Sequence, residues 1–227
     1  MSVKGRTRKH CRTVKLTSND LAHRSAIAVN PDSSVVYVTN AGTNTVQGFA
    51  WDASGMLKPL SGSPSATGTS PSAVIIDSVG KFLFVANRGS GDVSAFAIDV
   101  KNETLQEVTG SPFKTGKGAA AIAIDLTGSY LFVADYQAND IASLQIDNET
   151  GVLSLLGRTP LLSAGPSSLA VDPSGQYLHV TSDKAGGITT LKLDVATGTL
   201  VPAGETAATG KASSIVLGSA TATTQGS

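Results

Sequence analysis

Few residues in this chain can do chemistry, and most of them stand where a recurring pattern breaks. Arg88, in "ANRGSGDVS", is one. A guanidinium is a planar fork of donors. It can hold a phosphate or carboxylate bidentately, or polarise a carbonyl oxygen that gains charge as water attacks. The plainer alternative is a solvated loop arginine. His179, in "YLHVTS", is the second; comparable segments carry Tyr37, Phe84 and Phe132 at its place. An imidazole there is a candidate general base, or a polar core residue hydrogen-bonded to its neighbours. Tyr136, Asp183 and Lys184 occupy the loops equivalent to that of Arg88. Together with Asn87 and Asp135, which end the strands before those loops, they form a candidate binding rim. Asn40, Asn87, Asp135 and Ser182 also make a recurring column, which reads as side-chain caps on a turn. Glu103 and Glu149 fall in other hairpins, so no carboxylate–histidine pair for acid–base work stands out.

Familiar catalytic signatures are missing. The sequence holds no Walker-type phosphate loop, nucleophile elbow, zinc-protease helix or EF-hand loop, and no cofactor is expected. Cys11 is the single cysteine, which leaves no internal disulfide, and no metal-ligand spacing surrounds it and His10. His23 likewise has no partner in pattern. "NET" at Asn102 and Asn148 matches a glycosylation acceptor but reads as turn chemistry.

These residues sit on a repeat. Ile27, Val74, Ile122, Leu169 and Ile215 open equivalent segments spaced 47, 48, 47 and 46 residues apart. A sustained period of this size signals a repeat architecture. Each repeat contains four short β signals separated by turns, as in "LAVD", "QYLHVTS", "ITTLKLD" and "TLVPAGE". Asp172-Pro173-Ser174-Gly175 suits a type I turn, and Asn30, Asp77 and Asp125 open its variants. Asp52, Asp99, Asp147 and Asp194 open a second set of turns. A residue present in every repeat serves the repeat, so both columns are expected to cap turns.

The first two strands of each repeat are apolar throughout, for example "AVII" with "FLFVA". Strands apolar on both faces must be buried on both faces, and four-stranded sheets stacked around an axis achieve this. The expected fold is therefore all-β, a β-propeller of four-stranded antiparallel blades. It has four complete repeats, starting near 25, 72, 120 and 167, and one extra strand from 213. Residues 1–24 are expected to be a disordered basic tail and 218–227 a flexible one. Thr13 to Thr17 can form one more edge strand.

"VYVTN" at Val36 to Asn40 contains the name motif of YVTN-type propeller repeats. "SVGKFLFVANRGSGDVSAFAID" and "TGSYLFVADYQANDIASLQIDNETGVL" resemble blades of the lactonase-type propellers, relatives of 6-phosphogluconolactonase. The resemblance runs from Ser25 to Leu217. It implies a seven-bladed ring, which at this period takes more chain than is present, so an incomplete ring is expected. It also implies that the arginine of "NRG" reaches a central cleft, and that a sugar lactone is a possible substrate. Relatives with "TGSPF"-like repeats are often exported from bacteria, which favours a periplasmic or secreted protein, although no signal peptide is recognisable.

The composition narrows the function classes. Hydrophobic residues make up 41% of 227 residues, and 17 basic residues balance 17 acidic ones. A dedicated nucleic-acid binder would show a basic stripe, and no apolar run reaches the ~20 residues of a membrane span. Lys4, Arg6, Arg8, Lys9, Arg12 and Lys15 concentrate positive charge at the start. The function expected first is a binding or interaction scaffold for a sugar lactone, carbohydrate or protein. The alternative is a lactone hydrolase of the 6-phosphogluconolactonase type, inactive as this short chain alone. Apolar end blades would also favour self-association.

Overall fold

The computed structural model describes residues 24–207 and 214–215. The basic segment with His10, Cys11, Thr13–Thr17 and His23, the tail from 218, and Val216 and Leu217 all lie outside them.

Turn chemistry cuts the described chain into short strands. Gly175 N–H bonds the Asp172 carbonyl at 2.9 Å and takes φ +72°, which closes the turn and reverses the chain. The aspartate side chains complete these turns. Asp77 accepts from the Lys81 and Phe82 amides at 2.7 and 2.9 Å, Asp125 from Thr127 and Tyr130, and Asp172 from Gln176 and Tyr177. In the second set, Asp52 accepts from Ser54 and Met56, Asp99 from Asn102, Asp147 from Glu149 and Thr150, and Asp194 from Ala196. All seven aspartates cap their turns; Asn30, which opens the first turn of the first set, does not, because its Oδ1 is buried without a hydrogen-bond partner among the described residues.

The strands form four antiparallel sheets in sequence order. The first holds β1 (Arg24–Val29), β2 (Val35–Asn40), β3 (Thr45–Trp51) and β4 (Leu57–Pro59), with β5 (Ser65–Ala66) beside β3. The second holds β6 (Pro71–Ile76), β7 (Phe82–Asn87), β8 (Asp92–Asp99), β9 (Thr104–Glu107) and β10 (Phe113–Lys114). The third is β11 (Ala119–Ile124), β12 (Tyr130–Asp135), β13 (Asp140–Ile146) and β14 (Leu153–Pro160). The fourth is β15 (Pro166–Val171), β16 (Tyr177–Ser182), β17 (Ile188–Leu193) and β18 (Leu200–Thr206). Ser214 and Ile215, from the expected extra strand, have no strand assignment; the Ile215 amide bonds Ser168 Oγ at 3.3 Å. No helix occurs among the described residues.

The sheets stack as propeller blades. The opening strands β1, β6, β11 and β15 lie next to one another in order. The second strands β2, β7 and β12 are buried at every position, and β7 and β12 are covered on both faces by neighbouring blades. Tyr37 and Val46 meet Leu83 and Val85 between blades 1 and 2. Phe84 and Ala95 meet Leu131 and Val133 between blades 2 and 3, and Phe132 and Ile141 meet Leu178 and Val180 between blades 3 and 4. Each of the larger aliphatic and phenylalanine side chains contributes roughly 1.5–3 kcal/mol through removal from water. The register pairs each large residue with a small one: Tyr37 with Gly48, Phe84 with Ala95, Phe132 with Ser143. That leaves room for the next blade.

His179 holds this same position in blade 4, opposite Thr190. It is only half-buried, and Lys192 lies opposite Tyr177 on the same face. The outward face of blade 4 is therefore not the apolar surface the repeat leads one to expect. His179 stands where blades 1 to 3 carry Tyr37, Phe84 and Phe132, and Lys192 stands where they carry Ala50, Ala97 and Gln145.

Because strands alternate in direction, the loops segregate. Both aspartate-capped turn sets project at one end of the blades. The β2–β3, β7–β8, β12–β13 and β16–β17 loops and the links between blades project at the other. This second end is the rim.

Candidate functional site

The rim is built from one backbone device used three times. The first residue after the second strand donates its amide to the residue just before that blade's opening strand. Arg88 bonds Ser70 at 3.0 Å, Tyr136 bonds Gly118 at 2.9 Å, and Asp183 bonds Gly165 at 3.1 Å. The side chains at these places are thereby held in a row across blades 2, 3 and 4.

They meet. The Arg88 guanidinium carbon is 4.4 Å from the centre of the Tyr136 ring, and Lys184 Nζ is 4.6 Å from the same centre. The Tyr136 hydroxyl donates to Asp183 Oδ2 at 3.2 Å. A cation against an aromatic face gains about 0.5–1 kcal/mol at an exposed site. Loss of solvent, then the hydrogen bond and charge of Asp183, hold the Tyr136 phenol above its ordinary pKa, so it remains a donor at neutral pH. Stacking uses the flat face of the guanidinium and leaves its N–H edge for a ligand. Arg88 forms no ion pair among the described residues.

Asn87 and Asp135 are fully buried and lie beneath the rim surface. They are also not turn caps, unlike Asn40, whose Oδ1 accepts from the Gly42 amide at 3.0 Å. Asn87 Nδ2 instead donates to Asp92 Oδ1 and Ser94 Oγ, both at 2.9 Å, tying β7 to β8. Lys114 pairs with the other Asp92 oxygen at 2.8 Å. Asp135 accepts from Thr115 Oγ1 at 3.0 Å, and Ser182 Oγ is buried without a partner among the described residues. Ladder position explains the correction. These residues end a strand covered on both faces, so their side chains point into the sheet stack.

His179 is not part of the cluster. It sits three residues below the rim end of β16, and its Nδ1 lies 3.0 Å from Thr190 Oγ1. Sequence reasoning missed Asp140, which faces Asp135 across the β12–β13 ladder, and Arg158, 3.9 Å from Asp140 Oδ2. The signal was present in "ADYQAND": a tight hairpin places its two acidic residues opposite each other.

Beside this pair a cleft of about 720 Å³ opens between blades 2 and 3. Lys114, Lys117 and Arg158 line it, with Ser90, Thr115 and Gln137. No group of three metal-ligating side chains occurs among the described residues.

The family model "Lactonase, 7-bladed beta-propeller" matches residues 6–114 and 103–217. The chain belongs to this lactonase family. Solved structures agree on the fold. A Bacteroides uniformis protein provisionally assigned as a 6-phosphogluconolactonase is 20% identical with a TM-score of 0.74, over 86% of this chain and 60% of its own length. A Bacteroides fragilis protein with the same provisional assignment is 23% identical with a TM-score of 0.73, over 85% and 56%. The periplasmic gluconolactonase of Pseudomonas aeruginosa is 20% identical with a TM-score of 0.71, over 81% and 53%. A search of curated proteins finds no match. This lactonase-family chain thus spans between 53% and 60% of the length of these three structures.

Proposed function

We propose that this lactonase-family chain binds a small anionic sugar acid or its lactone at the rim. The observation that carries the reading is the convergence of Arg88 and Lys184, from blades 2 and 4, on Tyr136 of blade 3. Arg88 offers fork-shaped donors to a carboxylate or phosphate, and Lys184 adds a point charge. Tyr136 fixes both cations, so less side-chain entropy is lost when the ligand arrives. Titration calorimetry with 6-phosphogluconate and with gluconate tests this. Wild type is expected to bind, the phosphorylated acid more tightly, and Arg88→Ala to weaken binding about tenfold or more. Equal affinity in the two proteins would refute it.

Lactone hydrolysis is the second reading, supported by the family and by the edge donors of Arg88. Water would attack the lactone carbonyl, the ring C–O bond would break, and a hydroxy carboxylate and a proton would form. Arg88 would stabilise the oxyanion, which is typically worth about 10²–10³ in turnover. Asp183 is the carboxylate of the cluster, and its Oδ1 has no hydrogen-bond partner among the described residues. Hydrolysis at neutral pH, corrected for spontaneous opening, separates the two readings. Binding without turnover leaves the first.

A further inference from the structure

Blades 2 and 3 solve the same structural problem with different charges. In blade 2, Asn87 faces Asp92 across the hairpin ladder, and the amide donates to the carboxylate at 2.9 Å. In blade 3, the same two ladder positions hold Asp135 and Asp140. Two carboxylates cannot repeat that bond as they stand. Asp135 Oδ2 and Asp140 Oδ1 are both buried, and both lack a donor among the described residues. One proton placed between the two groups would satisfy the pair.

We infer that Asp135 and Asp140 share a single proton at neutral pH, and that this proton latches the strap Thr115–Gly118 onto blade 3, releasing it as the pH rises. The strap is tied to blade 3 at two places. Thr115 Oγ1 donates to Asp135 Oδ1, and the Tyr136 and Gln137 amides donate to the Gly118 and Lys117 carbonyls at 2.9 and 3.0 Å. Gly116 lies directly over Asp135. A Cβ built there would stand 2.4 Å from Asp135 Oδ2 and 2.5 Å from Arg158 Nη1, so a residue other than glycine would force the strap or these two side chains to shift.

The charged neighbours set the balance. Arg158 of β14 faces the pair and favours the ionised form, but it is 3.9 Å from Asp140 and partly exposed. Lys114 is committed to Asp92, and Lys117 is exposed. Burial is the larger effect: it pushes the Asp135 carboxyl up to about 7, and the Asp140 charge adds to the rise. Loss of the shared proton leaves two buried negative charges under the strap, and the strap gives way because it is held there by the Thr115 bond to one of those carboxylates and has no strand pairing of its own.

The inference does not depend on any rim ligand. Its test uses the full chain and its own internal control. The Arg88 and Gly89 amides bond Ser70 and Thr69 in blade 2 just as Tyr136 and Gln137 bond Gly118 and Lys117 in blade 3. Hydrogen exchange, corrected for intrinsic rates, is measured between pH 6 and 8.5. Protection at Tyr136 and Gln137 is expected to fall about tenfold relative to Arg88 and Gly89, and not to fall in Asp135→Asn, which copies the blade 2 pair. Parallel protection in the two blades overturns the latch. So does an unchanged pH response in Asp135→Asn. A carboxyl carbon NMR titration of wild type covers the case in which the variant does not fold. A midpoint for Asp135 near neutrality supports the shared proton, and one near 4 overturns it.

Discussion

The guanidinium carbon of Arg88 lies 4.4 Å from the centre of the Tyr136 ring, although the two residues belong to different blades. The ring is the platform that aims the cation. Tyr136→Leu should therefore weaken anion binding about fivefold, while Tyr136→Phe keeps the stacking and loses only the bond to Asp183. Calorimetric affinities of the two variants check this; equal losses would make the hydroxyl, not the ring, the important group.

His179 faces out of blade 4 and bonds Thr190, away from the rim. His179→Ala is expected to leave rim affinity and any lactone turnover within about twofold of wild type. A large loss of turnover with the fold intact would restore it as a base.

Asp125 closes its turn by accepting amides from Thr127 and Tyr130, and it is 4% exposed. Asp125→Ala leaves those donors without their partner and should cost about 1–3 kcal/mol in a denaturant unfolding experiment. Ligand affinity should not change, because the turn lies at the end opposite the rim.

Stability should peak in mildly acidic solution. The Ser54 hydroxyl lowers the Asp52 carboxyl, and the Asn102 and Thr150 amides lower Asp99 and Asp147. Groups lowered on folding stabilise above their unfolded pKa of about 3.9, and that stability is lost as the pH falls through their folded values. Asp135 is the opposite case. Its folded value of about 7 lies above the unfolded one, so its contribution is complete below about 4 and is lost as the pH rises to 7. Melting temperatures from pH 3 to 9 should show a maximum between these limits. In Asp135→Asn the decline toward pH 7 should flatten.

The repeat was legible in the sequence because its causes are local. Turn aspartates, turn glycines and doubly apolar second strands recur at one period, and each acts on residues within a few positions of itself. That sufficed for four-stranded blades, for their stacking and for the loops of Arg88, Tyr136 and Lys184 as one rim. Other features depended on what covers each strand end. Asn87 and Asp135 looked like turn caps and are buried, Asn87 tying β7 to β8 and Asp135 holding Thr115 of the link before β11, because the neighbouring blade closes over them. His179 was open between a general base and a polar core residue; it faces outward and half-buried against Thr190, because among the described residues no following blade covers that face of blade 4. Asp135 and Asp140 are an ordinary hairpin spacing in the sequence. Only the tertiary structure, by excluding water and bringing Gly116 down over Asp135, turns two common aspartates into a pair that must share a proton.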